Sequence, residues 1–248
     1  MILLGVDVGG SSIKAAPVDV ERGEIAAGTA SVATPQPSKP GAMAQAIKEL
    51  VSQFDVRGPI GVAFPTVIKS GEVCSAANID KSWIGVDAEL LIEKVVGRDA
   101  TFLNDADAAG IAEMQFGAGR GRRGVVMMLT FGTGIGSAVF IDGRLVPNTE
   151  FGHLEIQGKE AEHLASGRVR SAENLDFPAW AQRVNEVLAA YHALLWPDVF
   201  ILGGGVTEQF GSFGHLLKSR AEIVPAHFRA HAGIVGAAIA AARSPILG

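Results

Sequence analysis

One pattern occurs twice in this sequence and limits the folds open to it. An apolar run long enough for a buried strand enters a tight turn of Gly, Ser and Thr, and a second apolar run leaves it. The first copy is Ile2–Val8, then Gly9-Gly10-Ser11-Ser12, then Ile13 and Lys14; the second is Val125–Phe131, then Gly132-Thr133-Gly134-Ile135-Gly136-Ser137, then residues 138–141. Adjacent glycines clear Cβ atoms away from backbone N–H groups, Ser11 and Ser12 add hydroxyls, and Lys14 adds charge, which is the outline of a phosphate cradle. Asp7, at the end of the first buried run, suits a divalent cation held between a carboxylate and phosphates. The alternative is a surface hairpin with Asp7 as a turn former. Two copies of one unit suggest two lobes of similar topology facing each other.

The rest of the chain alternates strand, turn and helix, which points to an α/β protein. Strands are expected at 15–20, 24–33, Ile60–Phe64, 101–103 and 199–202, with hairpins around Lys69-Ser70-Gly71 and Asp142-Gly143. Helices are expected after the proline-rich link 35–40, over 86–96, over 106–116, through Trp180 to Leu195, and at 231–243. The 31 glycines among 248 residues suit the many tight turns. A net charge of -5 argues against a nucleic-acid partner. The single cysteine, Cys74, excludes an internal disulfide framework and a thiolate-rich zinc site, and reads as a small buried hydrophobe. No apolar run spans a bilayer and no basic, apolar leader precedes the first strand, so the expected setting is the cytoplasm.

A third glycine turn, Gly203-Gly204-Gly205, follows a short apolar strand and is expected to open a helix. No Gly-Lys-Ser/Thr follows a properly spaced glycine, so this is no P-loop enzyme. Gly119, Gly121 and Gly124 match the dinucleotide spacing but precede a strand and open no helix, which excludes that reading. Three glycine turns at strand ends fit a phosphoryl donor, and phosphoryl transfer needs positioning, charge neutralisation and one group to orient the attacking hydroxyl. Asp105, at a strand end and in the first turn of a helix, is the candidate for that group. Asp107 is its rival but points elsewhere, and the plain alternative for Asn104-Asp105 is helix capping. Arg120, Arg122, Arg123, Arg168, Arg170 and Lys14 either line a basic lane for a polyanion or form a solvated face.

The segments DVGGSSIK at 7–14, LNDAD at 103–107, TFGTGIGSA at 130–138, EFGH at 150–153 and LGGG at 202–205 occur in the order found in the ROK family of bacterial sugar kinases, which the chain resembles over nearly its whole length. The resemblance implies an α/β, two-lobed, actin-like or hexokinase-type (ribonuclease H-like) fold with a central cleft. It implies a first lobe of 1–104 completed by a C-terminal helix at 231–248, and a second lobe of 105–230. The short chain and its opening segment look most like the polyphosphate glucokinases, including those that also use ATP and accept mannose. Glucose or mannose, polyphosphate or ATP, Mg²⁺ and a homodimer are thereby implied.

Carried over, Asp105 is the base for the sugar 6-hydroxyl, and Asn104, Glu150 and His153 hold sugar hydroxyls. Asp7, Gly9, Gly10, Ser11, Ser12, Lys14, Thr130, Gly132, Thr133, Gly134, Gly203, Gly204 and Gly205 meet phosphate or nucleotide, with Asp7 toward the metal. Many members follow the His with a Cys-rich zinc motif and a further sugar-binding Glu. This chain lacks those cysteines, so no zinc is expected and His153 needs another partner. Glu162 is chosen over Glu155 and Glu160 for the later Glu, and Asn78 either approaches the sugar or serves as a turn residue. Family repressors carry an N-terminal helix-turn-helix, whereas here Met1 leads into a strand.

Overall fold

The computed structural model describes residues 1–243; residues 244–248, the end of the stretch assigned above to the first lobe, lie outside the described residues. The chain divides into two units, Met1–Ala112 with the segment from His231, and Glu113–Ala230. The first contains β1 (Ile2–Val8), β2 (Ser12–Asp19), β3 (Glu24–Ile25), β4 (Ala30–Ala33), α1 (Pro40–Val51), β5 (Ile60–Phe64), the small hairpin β6 (Ile68–Lys69) and β7 (Glu72–Val73), α2 (Ala88–Val96), β8 (Ala100–Asn104) and the start of α3 (Asp105–Phe116). The second contains β9 (Val125–Phe131), β10 (Ile135–Ile141), β11 (Arg144–Val146), the small hairpin β12 (Glu155–Ile156) and β13 (Lys159–Glu160), α4 (Ala161–Ala165), α5 (Gly167–Ala172), α6 (Phe177–Leu195), β14 (Val199–Gly203), α7 (Phe210–Phe213) and β15 (Glu222–Pro225). Helix α8 (Ala232–Arg243) returns to the first unit.

The repeated motif is a repeated topology. The first sheet has the order β3-β2-β1-β5-β8, with β4 also on β2, and the second has β11-β10-β9-β14-β15. In each, the strand before the glycine turn pairs antiparallel with the strand after it and parallel with a later strand on its other side. The unit boundary falls at Ala112 rather than after Asn104. Helix α3 begins as part of the first unit because Ala108 clusters there with Ala63 and Ala237.

Other boundaries shift for local reasons. The run 24–33 is two strands, since Ala26-Ala27-Gly28 lacks the branched side chains that favour extended pairing, and β3 and β4 join β2 at opposite ends. Helix α2 starts at Ala88, where Asp87 Oδ1 accepts from the Leu90 N–H at 2.8 Å. Gly205–Gln209 is a 3₁₀ turn and not an α-helix. Cys74 is exposed, in contrast to the buried position expected, because it follows the outer strand of the small β6–β7 hairpin.

Alternation along β1 sorts its side chains. Leu4, Val6 and Val8 pack with Met43, Ile47 and Leu50 of α1 and with Trp83 and Ile92. On the opposite face Gly5 meets the backbone of Ile234, and Asp7 meets Gly233, where an added Cβ would lie 2.9 Å from the carboxylate carbon. Gly61 likewise lies against the Ala237 backbone, so α8 approaches the sheet at main-chain distance and its Ala and Gly content follows from that. The last strand, β8, gives two outward N–H groups to α2: Phe102 donates to Glu89 Oε1 at 2.9 Å and Ala100 to Glu93 Oε1 at 3.4 Å.

In the second unit Met127, Leu129 and Phe131 pack on Trp180, Val184, Val187, Leu188 and Tyr191. Each unit buries one tryptophan whose indole N–H has a partner: Trp83 donates to Ser38 O at 2.8 Å and Trp180 to Ala165 O at 2.9 Å. Among the described residues no helix is long and apolar enough to cross a membrane.

The close approach of α8 is testable by one methyl group. Gly61→Ala should lower stability by about 3 kcal/mol through backbone overlap, whereas Gly28→Ala, in open space, should change it by less than about 0.5 kcal/mol. Urea unfolding followed by circular dichroism measures both.

Candidate active site

The first glycine turn is held by its carbonyls. Gly9 N–H donates to Ser12 O at 3.0 Å and closes the turn. The carbonyls of Gly9, Gly10 and Ser11 accept, in that order, from Thr34 Oγ1 at 2.6 Å, Gln36 Nε2 at 3.3 Å and Thr34 N at 3.1 Å. In a trans peptide C=O and N–H point to opposite sides. Three carbonyls turned toward Thr34 and Gln36 therefore turn the amides of Gly10, Ser11 and Ser12 away from them, as an anion-binding nest requires. Lys14 is the cross-strand partner of Asp7. Burial pushes the Asp7 carboxyl up to about 6, and Lys14 opposes that rise only in part.

Asp105 and Asn104 divide their work. Asn104 is buried, and its Oδ1 accepts from the N–H of Ala106 at 2.9 Å and of Asp107 at 3.1 Å, while Nδ2 donates to Thr66 O at 3.2 Å. The capping reading therefore holds for Asn104, and one Nδ2 hydrogen remains for another acceptor. Asp105 is half-buried in the first turn of α3, and its Oδ1 accepts from the Ala106 N–H at 2.8 Å. Its rival Asp107 is buried.

In the second unit, Gly132 N–H donates to Gly134 O at 3.0 Å, and the Gly132 carbonyl accepts from the Arg168 N–H at 3.0 Å. Gly134 lies against the carboxylate of Glu162, and Gly204, in the left-handed region at φ 88°, lies on the backbone of Phe131. Thr207 gives both its N–H, at 3.0 Å, and its hydroxyl, at 2.6 Å, to the Gly204 carbonyl. Thr130, Gly132, Thr133, Gly134 and Gly203 to Gly205 are thus one contiguous group at the carboxyl ends of β9 and β14, which is where open parallel sheets bind ligands.

Beside Gly134 lie carboxylates and imidazoles. His153 Nδ1 is 3.3 Å from Glu160 Oε2, and its Nε2 is 3.7 Å from Glu150 Oε2. The second partner that His153 needs is therefore Glu160, while Glu162 reaches the glycine turn; both belong to one group. His153, Glu160 and Glu162 offer ligand atoms all within 4.8 Å of one another, so this group has the residue types to hold a metal ion. Burial holds the Glu150 carboxyl above the usual carboxylate range, opposed by His153 and reinforced by Glu162.

Residues that the sequence did not single out set this geometry. Ser137 Oγ donates to Thr149 O at 2.7 Å and accepts from Phe151 N–H at 3.0 Å, which brackets Glu150. Tyr191 Oη donates to Phe151 O at 2.7 Å, and burial raises its phenol far enough to keep it a donor. Gly152 lies on the Ile135 backbone, which explains the glycine in EFGH.

Two of the arginines considered for a basic lane are engaged elsewhere. Arg122 forms a two-pronged pair with Glu222, and the Arg170 guanidinium lies 4.0 Å above the Phe177 ring centroid. Asn78 is exposed.

The profile of the ROK family matches residues 3–175. The chain is 49% identical to a polyphosphate glucokinase of Mycobacterium tuberculosis over 237 residues, covering 95% of this chain and 89% of that protein. Its fold superposes with a TM-score of 0.94 on an inorganic polyphosphate/ATP-glucomannokinase from Arthrobacter sp. strain KM, at 42% identity and covering 97% and 98% of the two chains. A ROK family glucokinase from Streptomyces griseus, solved with glucose and AMPPNP, matches with a TM-score of 0.84 at 27% identity, covering 98% and 100%.

The two glycine contacts separate function from stability. Gly134→Ala meets only the end of a flexible glutamate side chain, so it should cost less than about 1 kcal/mol yet lower turnover at least tenfold by displacing Glu162. Gly204→Ala must adopt a left-handed backbone against the main chain of Phe131 and should cost about 3 kcal/mol or more. Thermal melts and initial rates on the same preparations decide this.

Proposed function

The chain belongs to the ROK family, and we propose that it is a glucokinase that transfers the terminal phosphoryl group of inorganic polyphosphate, of ATP or of both to the 6-hydroxyl of glucose. The observation that carries this reading is the contact of Glu162 with Gly134. It supports the reading because Glu150, His153, Glu160 and Glu162, all able to accept from hydroxyls, form one group that adjoins a glycine turn suited to a phosphate. Carboxylates accept from adjacent sugar hydroxyls, and an imidazole held between two of them keeps a fixed orientation.

Asp105 accepts the proton of the 6-hydroxyl as that oxygen forms its bond to the terminal phosphorus and the bond to the remaining donor chain breaks. Asn104 holds the helix start that carries Asp105 and keeps one amide hydrogen for a sugar oxygen. The turns at Gly9 to Ser12, Gly132 to Gly134 and Gly203 to Gly205, with Lys14, hold donor phosphates.

A divalent metal accompanies the donor, and Mg²⁺ at Asp7 is our assignment. The fit lies in the Asp7 carboxylate itself: burial raises it to about 6 even with Lys14 opposite, so its charged form lacks a full counter-charge. A cation held there would supply that charge and neutralise phosphate oxygens. Mannose as a second acceptor has its support in the name of the Arthrobacter relative. The homodimer rests on family resemblance alone, and the cytoplasmic setting on the sequence expectation alone. An ATP-only hexose kinase is the competing reading.

A coupled glucose 6-phosphate assay with ATP and with polyphosphate in parallel tests the donor, and absence of a polyphosphate-dependent rate leaves the ATP-only reading. In the same assay Asp105→Asn should lose at least about 1000-fold in kcat while glucose binding by calorimetry stays within about threefold. Substantial remaining turnover removes Asp105 from the role of base.

The raised Glu150 carboxyl gives a pH dependence with a definite sign. As pH falls, Glu150 takes up its proton at a higher pH than an ordinary glutamate and loses acceptor capacity, so the KM for glucose should climb first on the acid side. Glu150→Gln should start with a raised KM and lack that climb.

A further inference from the structure

At the carboxyl end of β15 the chain turns through Ala226, His227, Phe228 and Arg229, and with the end of α3 this loop lines a cavity of about 380 Å³. Phe116, Ala118 and Pro225 supply its apolar wall, and His227 and Arg229 supply its polar groups. Among the described residues no carboxylate lines it. Glu113 lies beneath, fully buried, with Oε1 accepting from the Phe228 N–H and Oε2 from the Ala118 N–H, both at 2.8 Å. Both of its side-chain oxygens are engaged in fastening the loop to α3. Arg122 and Arg183 are each paired with a glutamate, whereas among the described residues no ion pair holds Arg229 or His227. Arg229 has φ 51°, a left-handed backbone uncommon for any residue other than Gly or Asn.

This cavity continues the line of glycine turns. Gly204 lies on Phe131, and a Cβ on Gly203 would be 3.5 Å from that of Ala226. The ends of β9, β14 and β15 therefore touch in sequence, and two strand spacings amount to about 10 Å. The carboxylates beside Gly134 mark the acceptor end of this line, and the cavity marks the other. A nucleoside triphosphate carries an uncharged ribose and base beyond its third phosphate. A linear polyphosphate carries another negative charge at every unit, and two basic side chains at the far end of the line match that chemistry.

We propose that the cavity is a subsite for the distal phosphates of a polyphosphate donor, with Arg229 and His227 binding oxygens several units away from the phosphorus that is transferred. The proposal rests on polyphosphate being a donor for this chain.

The test compares wild type with Arg229→Gln, Arg229→Gly and His227→Gln, using long-chain polyphosphate, tripolyphosphate and ATP at saturating glucose. Arg229→Gln should raise the KM for long-chain polyphosphate about tenfold, the effect of losing one charge-assisted hydrogen bond, with kcat within twofold. The KM values for tripolyphosphate and ATP should change less than twofold. Arg229→Gly relieves the left-handed backbone and should keep the wild-type melting temperature while showing the same loss, which separates charge from folding. An unchanged polyphosphate KM, or equal rises for polyphosphate and ATP, overturns the subsite. A wild-type enzyme without any polyphosphate-dependent rate overturns the donor reading and the subsite with it, whereas a wild-type rate unaffected by these variants overturns the subsite alone.

Discussion

A turn presents its amides to an anion only when its carbonyls have somewhere else to go, and this requirement organises much of the structure. At the first turn the carbonyl side is taken up by Thr34 and Gln36, which arrive from the end of β4. At the second it is taken up by the Arg168 amide, and at the third by the N–H and hydroxyl of Thr207. The partners differ in type and in distance along the chain, but each fixes the peptide planes by hydrogen bonds that are independent of any ligand. An amide nest aligned in this way needs little reorganisation when charge arrives, which is the condition for electrostatic stabilisation of phosphoryl transfer.

The net charge of -5 conceals an ordered distribution of charge. Glu150, Glu160 and Glu162 gather around two histidines at one end of the second sheet's turns. Arg229 and His227 stand at the other end. Neutral glycine turns lie between. A neutral polyol is attracted to acceptors and a polyanion is repelled by them, so an acidic end of this kind suits the first and opposes the second before any shape does. Excess acid elsewhere on the surface does not oppose this, because salt screens exposed charges beyond about 10 Å.

Legibility in the sequence followed the range of the interactions. The glycine turns, the strand on either side of them, and the capping of α3 by Asn104 are set by neighbours within a few residues, and the residue types announce them. The partner of His153 was not legible, because Glu155, Glu160 and Glu162 lie in a charged stretch without periodicity and only the β12–β13 hairpin decides which one returns to the ring. Arg122 reads as a free cation until the fold brings Glu222 to it from 100 residues away. Glu113 appears as an ordinary surface glutamate in a helix of small residues, yet it is the buried fastening of a loop more than a hundred positions on. Cys74 misled because small hydrophobes are usually inside, whereas here its neighbour Val73 takes the buried place and Cys74 follows on the exposed side.

The glutamates of α2 that receive N–H groups from β8 have a consequence for the molecule in company. An outermost strand with unanswered donors invites a strand from another chain, by swapping or by fibre formation. Glu89 and Glu93 answer the donors of Phe102 and Ala100 from within the chain. They also place negative charge where an incoming backbone carbonyl would have to approach. The sheet that carries Asn104 at the tip of this strand is therefore closed to recruitment on that side, and crowded solution is less able to draw the strand into an intermolecular ladder.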